Sequence, residues 1–576
     1  MSDPSSRVRT ILLAIAVAFT AWAALVFVTG GIEWRIAGVL LRSRDPFRPL
    51  LLAIVLLAVQ GAFYREAFAR DIDRATRLLR RRAVPLALLV AAAAAAHAVY
   101  FGGCTAGGSD SYGYVSQAYG WVNRQLPQAY PLRLSLPFPS GDLMQIPLGH
   151  RPGTAPHTMV PTYAPGLPLL MAVGIVTLGR IGPYMVVPVC AALFVWCTFL
   201  VGRRAVGPMG GVIAAIVAAT TPVVLFQALW PMSDVPAGAL WTGGLAGALG
   251  NSRRGAILGG VAAALGLLVR PNLLLLAAVL VFWIFLRARG SERFVRAALF
   301  SLPFVPVVAA VALLNTRWYG SPLASGYGRS AEIYSLANVI PNLQRYPAWF
   351  WYSQSFWILL AFVSLWALLR PSRERPAIAL CWAFVLATLV SYITYTPFDD
   401  WWYLRFLLPG IGALSVLMTA GLAVAAGRIP RPWGSVLAMT MVLLIVRQAT
   451  SFALDHSIFG QLRKDEHRYA DVAAFVGDNL PENAVVFAMQ HSGNIRIWGG
   501  RLTLRYDLID PDYRARIVPE LEREGLHPYL GIDDWEAPEV KRHFGLAEDQ
   551  PLPWPRVAHM RESGGASVYD LASTPQ

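Results

Sequence analysis

Apolar residues gather along the chain into runs of about 15 to 22, divided by short arginine-rich segments, which is the pattern of a polytopic helical membrane protein. The runs predict about thirteen membrane helices, near residues 11–29, 49–64, 83–101, 183–201, 209–229, 235–250, 255–269, 272–286, 298–314, 354–369, 377–395, 406–425 and 433–448. The run from Gly166 to Gly179 is too short to cross and reads as a re-entrant or interfacial helix. Leaving it out of the count puts the basic clusters on one side: Arg7/Arg9, Arg65 to Arg82, Arg203/Arg204, Arg253/Arg254, Arg287 to Arg296, Arg370 to Arg375 and Arg428/Arg431. The positive-inside rule makes that side cytoplasmic. The first outer loop departs from the rule, since it carries Arg35, Arg42, Arg44 and Arg48, and it also reads as an interfacial amphipathic segment.

This arrangement leaves five segments outside: the long loop Gly102 to Pro165, the turn Trp230 to Pro236, the break Arg270-Pro271-Asn272, the loop Asn315 to Gln354, and Thr396 to Arg405. Past about residue 456 charge rises and apolar runs shrink to strand length. Arg468 to Leu480 reads as an amphipathic helix, Ala484 to Met489 and Arg501 to Tyr506 as strands, and Leu530 to Ile532 as a third. Residues 1–455 are therefore read as the transmembrane domain, with its large outer loop at 102–165, and residues 456–576 as a small extracytoplasmic α/β domain.

With 56% of 576 residues hydrophobic and 14% charged, a soluble globule is excluded. The formal charge of +15 comes from arginines in loops between apolar runs, so it orients helices and implies no nucleic-acid partner. The four cysteines (Cys104, Cys190, Cys197, Cys381) show no metal spacing and no disulfide framework. The first apolar run continues past Ala21-Trp22-Ala23, which reads as a retained signal anchor rather than a cleaved peptide.

Candidate chemistry lies in the outer segments. Gly107-Gly108-Ser109-Asp110-Ser111-Tyr112-Gly113-Tyr114 follows the run 83–101 with almost no gap, so a carboxylate and two tyrosines stand where hydrocarbon meets water. Asp110 has two readings, a functional carboxylate or a cap for a helix starting at Ser111. Ser233-Asp234-Val235-Pro236 presents a second carboxylate on the same side, and Asp234 also reads as a helix N-cap with Pro236 in the first turn. Tyr163-Ala164-Pro165-Gly166 leads into the short helix. Arg270 and Arg405 face the same way; each reads either as an interfacial anchor among aromatic residues or as a phosphate clamp, because guanidinium offers a fork of donors matched to phosphate oxygens.

In their order these motifs resemble the GT-C superfamily of membrane glycosyltransferases, in particular its protein O-mannosyltransferase and aminoarabinose-transferase-like bacterial branch. The resemblance covers most of the chain from about residue 83. The family's essential Asp in the first large outer loop is matched by Asp110, its Tyr-Pro-Pro-Gly-like approach to a juxtamembrane helix by Tyr163 to Gly166 with Ala164 in place of one proline, a second acidic turn by Asp234, and an Arg-Pro break by Arg270-Pro271. Two features depart from the family: two spans precede the acidic loop, and a frequent Asp-Glu pair is here Asp110-Ser111. The resemblance implies an inverting glycosyltransferase in the cytoplasmic (inner) membrane of a bacterium. Such an enzyme moves a sugar from a polyprenyl phosphate to a glycan, lipid or protein acceptor on the outer face. Asp110 would be the base and Arg270 and Arg405 the phosphate holders, while Asp234, Tyr112 and Tyr163 would support the acceptor or the loop. No cofactor is required by that chemistry, and a divalent metal is left open. A lipid or sugar transporter is the alternative class, but it calls for paired broken helices and polar groups near mid-membrane, whereas here they cluster on one face. A non-catalytic scaffold would leave Asp110 and Arg405 replaceable.

Overall fold

A computed structural model of the chain describes residues 4–29, 32–36, 39–43, 45, 47–129, 140–328, 330–369, 371–430 and 432–572. Arg44, Arg370 and Arg431 of the arginine-rich segments, and 130–139 of the outer loop, lie outside the described residues.

The protein is mostly helical, and the predicted runs fall largely on helix. Among the described residues seven helical stretches are long and apolar enough to cross a membrane, including Ala83–Phe101, Trp401–Ala426 and Trp433–Asp455, and four further apolar helices are shorter. The chain is a multi-pass membrane protein on this ground. The run 209–229 is divided, with helices Pro208–Thr220 and Pro222–Gln227, because Pro222 supplies no amide hydrogen to continue the first helix. The predicted outer loop 315–354 contains a helix, Val339–Gln354, whose prolines and polar residues hide it from a hydropathy reading. The arginine-bearing segment near 30–48 holds an antiparallel pair, β1 (Ile32–Ile36) and β2 (Val39–Ser43).

The helical core centres on Leu408–Ala426, Gly182–Ala205 and Asp234–Leu249, with Trp241, Phe194, Phe199 and Phe384 fully buried among them. The short helix Gly166–Leu178 rises only about 20 Å. It ends at Gly179, which has φ +63°, and the chain doubles back: a Cβ on Gly174 would meet the Gly182 carbonyl oxygen at 2.5 Å. Only glycine allows this close return.

In that loop, β3 (Gln128–Ala129), β4 (His150–Pro152) and β5 (Thr158–Pro161) form a small sheet in the order β3-β5-β4. The C-terminal part carries β6 (Ala484–Phe487), β7 (Leu502–Leu504), β8 (His527–Asp533), β9 (Arg556–His559) and β10 (Ala566–Asp570) in the order β7-β6-β8-β10-β9. β6 is parallel to β7 and β8, while β10 is antiparallel to β8 and β9. Strand period sends Val485, Phe487, Leu530 and Ile532 to one face and Val486 and Tyr529 to the other, and each face has its own apolar cluster. The predicted helix 468–480 begins earlier, at Gln461, and runs to Asn479.

Burial pushes the carboxyls of Glu466 and Glu536 up to about 7 from an ordinary 4.5. The folded protein therefore holds these protons after the unfolded chain has released them. The stability they lend is complete below about pH 4.5 and is lost as pH rises to about 7, at a slope of up to about 1.4 kcal/mol per pH unit per group. Thermal unfolding of the purified protein should move to lower temperature between pH 5 and 7 and then level, and Glu536→Gln should flatten that dependence.

Candidate functional site

The helix Asp110–Val122 follows the apolar helix Ala83–Phe101 after a short connection, residues 102–109, that ends in Gly107-Gly108-Ser109. The residue at its N-cap is Ser109, and no side chain caps that helix. The Asp110 carboxylate is instead turned to other partners. Tyr163 donates from its hydroxyl to Oδ1 at 2.6 Å, and Arg405 donates from Nη1 to Oδ2 at 3.1 Å. Ser109 Oγ lies 2.7 Å from the Tyr163 hydroxyl and, with that proton committed to Asp110, is the donor there. Burial and the neighbouring Asp110 charge push the Tyr163 hydroxyl well above the ordinary tyrosine value, so it remains a donor.

Arg405 sits on the tight turn Trp401–Leu407 that opens the buried helix Leu408–Ala426. The rings of Tyr403 and Phe406 flank its guanidinium at 5.4 and 5.2 Å, which fixes the direction of its donors.

A second acid–guanidinium pair lies behind the first. Asp234 begins the helix Asp234–Leu249, whose cap position, Ser233, makes no side-chain cap bond either; its Oδ1 accepts from Arg270 Nη2. Arg270 also donates from Nε to Ser233 Oγ and from Nη1 to the Tyr392 hydroxyl, both at 3.3 Å. Its guanidinium shares the Phe406 ring with Arg405, at 6.0 Å. Tyr114 ties the pairs together: its ring lies 4.6 Å from that of Tyr163, and its hydroxyl donates to Ser233 Oγ at 2.9 Å.

The two pairs differ in access. The Asp110 side chain is 33% exposed and that of Asp234 1%. Arg405 Nε and Asp234 Oδ2 are buried without a hydrogen-bond partner. The outer carboxylate can therefore reach a substrate while the inner one cannot.

Of the residues predicted from sequence, Asp110, Tyr163, Asp234, Arg270 and Arg405 converge, and Tyr112 does not. Tyr112 is turned away, with its ring 5.6 Å from that of His150 and packed on Gly493. Its place is taken by Tyr114, one helical turn past Asp110. Ser233 and Tyr392 also belong to the site and were not singled out; Tyr392 lies inside an apolar run and carries no local signal. The capping readings of Asp110 and Asp234 do not match these bonds. Among the described residues no three His, Cys, Asp or Glu side chains converge as a metal site would need.

Neither the family models nor the curated proteins compared with the chain match it. Solved structures do. ArnT from Cupriavidus metallidurans in the apo state aligns with TM-score 0.53 and 14% identity over 87% of this chain and 100% of that one. The same protein bound to undecaprenyl phosphate aligns with TM-score 0.51 and 14% identity over 86% and 98%. The arabinofuranosyltransferase AftD from Mycobacteria aligns with TM-score 0.50 and 15% identity over 85% of this chain, which spans 40% of that longer protein. At such identity the likeness is one of fold. The chain shares the fold of these structures, the GT-C fold that the order of its motifs led us to expect.

Proposed function

We propose that the chain is an inverting glycosyltransferase that moves a sugar from a polyprenyl-phosphate donor to the hydroxyl of a cell-envelope acceptor at the outer face of a bacterial cytoplasmic membrane. About thirteen spans would carry the site, with residues 456–576 as an extracytoplasmic domain. The observation that carries this reading is the geometry of Asp110: a partly exposed carboxylate oriented by Tyr163 and set against a guanidinium that has a further donor free. The fold shared with ArnT, seen with undecaprenyl phosphate, supports the donor class.

Asp110 takes the proton of the acceptor hydroxyl as its oxygen attacks the anomeric carbon. The bond from that carbon to the phosphate oxygen breaks, and the electron pair leaves on the lipid phosphate. Phosphate is a good leaving group and needs no acid, only positive charge placed where charge develops, and Arg405 supplies it. Arg270, read from sequence as a second phosphate holder, bonds from each of its three nitrogens to Ser233, Tyr392 or Asp234, so its share is to hold Asp234 and the floor of the site.

Transfer by purified protein from a panel of prenyl-phosphate sugars tests the reading. Arg405→Ala should raise the donor KM by about 10- to 10²-fold, the worth of one or two charge-assisted hydrogen bonds, and Arg405→Lys should not restore it. A lysine variant with the parental KM would make Arg405 an interfacial anchor, and no transfer from any donor would remove the glycosyltransferase reading.

A further inference from the structure

The three parallel strands of the C-terminal sheet have an order that creates a crevice. From β6 the chain passes through the helix Ser492–Trp498 to β7 on one side, and from β7 through Arg514–Arg523 to β8 on the other. In open α/β sheets the place where successive connections diverge, outside the carboxyl ends of the strands, is where ligands bind. Here that place lies between β6 and β8, beside Gln490 and His491 after one strand and Asp533 at the end of the other.

The chain's own outer loop occupies it. The Gly108 amide donates to the Gln490 carbonyl at 3.2 Å, and Thr105 Oγ1 donates to the Glu466 carbonyl at 3.1 Å. A Cβ on Gly107 would stand 2.1 Å from the Tyr469 ring, so only glycine fits there. On the other side of Asp110, Tyr112 packs on Gly493, where an added Cβ would come within 2.3 Å of its ring. The grip thus brackets Asp110 from both directions along the chain, two residues either way.

The gripping surface is itself held by a buried polar network. Asp533 and His491 are wholly buried, and Asp533 Oδ1 accepts from Arg468 Nε at 2.7 Å and faces His491 Nε2 at 2.9 Å. Arg468 then donates to the Tyr469 hydroxyl at 3.2 Å and lies over its ring at 4.4 Å, while Asn494 donates to the Tyr469 carbonyl at 2.6 Å. Tyr469, 5% exposed, is thereby pressed on Gly107 with little freedom to turn.

We propose that this crevice is a clamp for the Asp110 segment and that Tyr469 is its positioning residue, placing the Asp110 carboxylate without touching substrate. The proposal rests on the reading of Asp110 as the base. A misplacement of about 1 Å at a reacting group costs up to about 10²-fold in rate, so loosening the clamp acts on turnover and leaves binding alone.

The test is steady-state transfer by the full-length protein, with kcat and the donor and acceptor KM measured for Tyr469→Ala and Gly107→Ala, each alone and combined with Asp110→Asn. Tyr469→Ala opens the clamp from the C-terminal side and Gly107→Ala forces it from the loop side. Each should lower kcat by about 10-fold or more with both KM values within about twofold of the parent. In the Asp110→Asn background neither should cost much further, since the group being positioned is gone. A rise in acceptor KM, or an equal fold-loss in both backgrounds, would overturn the clamp and make this region an acceptor site or an independent support. If Tyr469→Ala does not accumulate, Gly107→Ala decides, and parental kcat in that variant also overturns the clamp. Full activity of Asp110→Asn alone would refute the base instead, a result read separately from the clamp variants.

Discussion

Asp110→Asn is expected to accumulate in the membrane at the parental level and to lose about 10²-fold or more in turnover. Asparagine keeps the oxygen that accepts from Tyr163 at 2.6 Å and keeps the shape of the side chain. It removes the proton acceptor and the ion pair with Arg405. Since that pair is partly exposed, its loss costs little stability, and the effect falls on chemistry. A capping role gives the opposite result, because Asn caps a helix as well as Asp does. The measurement is kcat from a prenyl-phosphate sugar, beside a melting curve for each protein. An undiminished rate would remove Asp110 from the mechanism and, with it, most of the catalytic argument.

The sequence made the helical architecture legible because a lipid-facing helix needs an apolar run that no other element needs. The convergence of five of the six candidate residues was legible through position alone, as polar groups gathered on one face of an apolar scaffold. Tyr112 lies apart from the Asp110 cluster for a reason the sequence held: two residues past Asp110 on a helix is nearly the opposite face, while Tyr114, four residues on, shares its face. The capping reading starts that helix at Ser111, one residue late, which shifts no residue onto another face. Val339–Gln354 was missed because Pro341, Pro347 and its polar residues dilute hydropathy. β9 and β10 were missed because Arg556 to His559 and Ala566 to Asp570 are short and mixed, and their burial depends on β8 lying beside them. The contact of Gly107 with Tyr469 joins residues far apart in the chain and has no local signature.

Arg270→Ala should destabilise the protein by about 3–5 kcal/mol, because it leaves the buried Asp234 carboxylate unpaired. Asp234 is 1% exposed, so solvent cannot replace the lost guanidinium. Ser233 Oγ and the Tyr392 hydroxyl lose a donor in the same step. Removing both charges, in Asp234→Ala with Arg270→Ala, should recover most of the loss, since the cost lies in the orphaned charge and neighbours of this kind are not additive. Thermal melting of the parent, the two single variants and the double variant gives the coupling directly. If Arg270 held the donor phosphate instead, Arg270→Ala would melt close to the parent and show its whole effect in the donor KM, and the double variant would be no more stable than either single one. The two outcomes separate a residue that shapes the floor of the site from one that meets the substrate, and the bonds Arg270 makes predict the first.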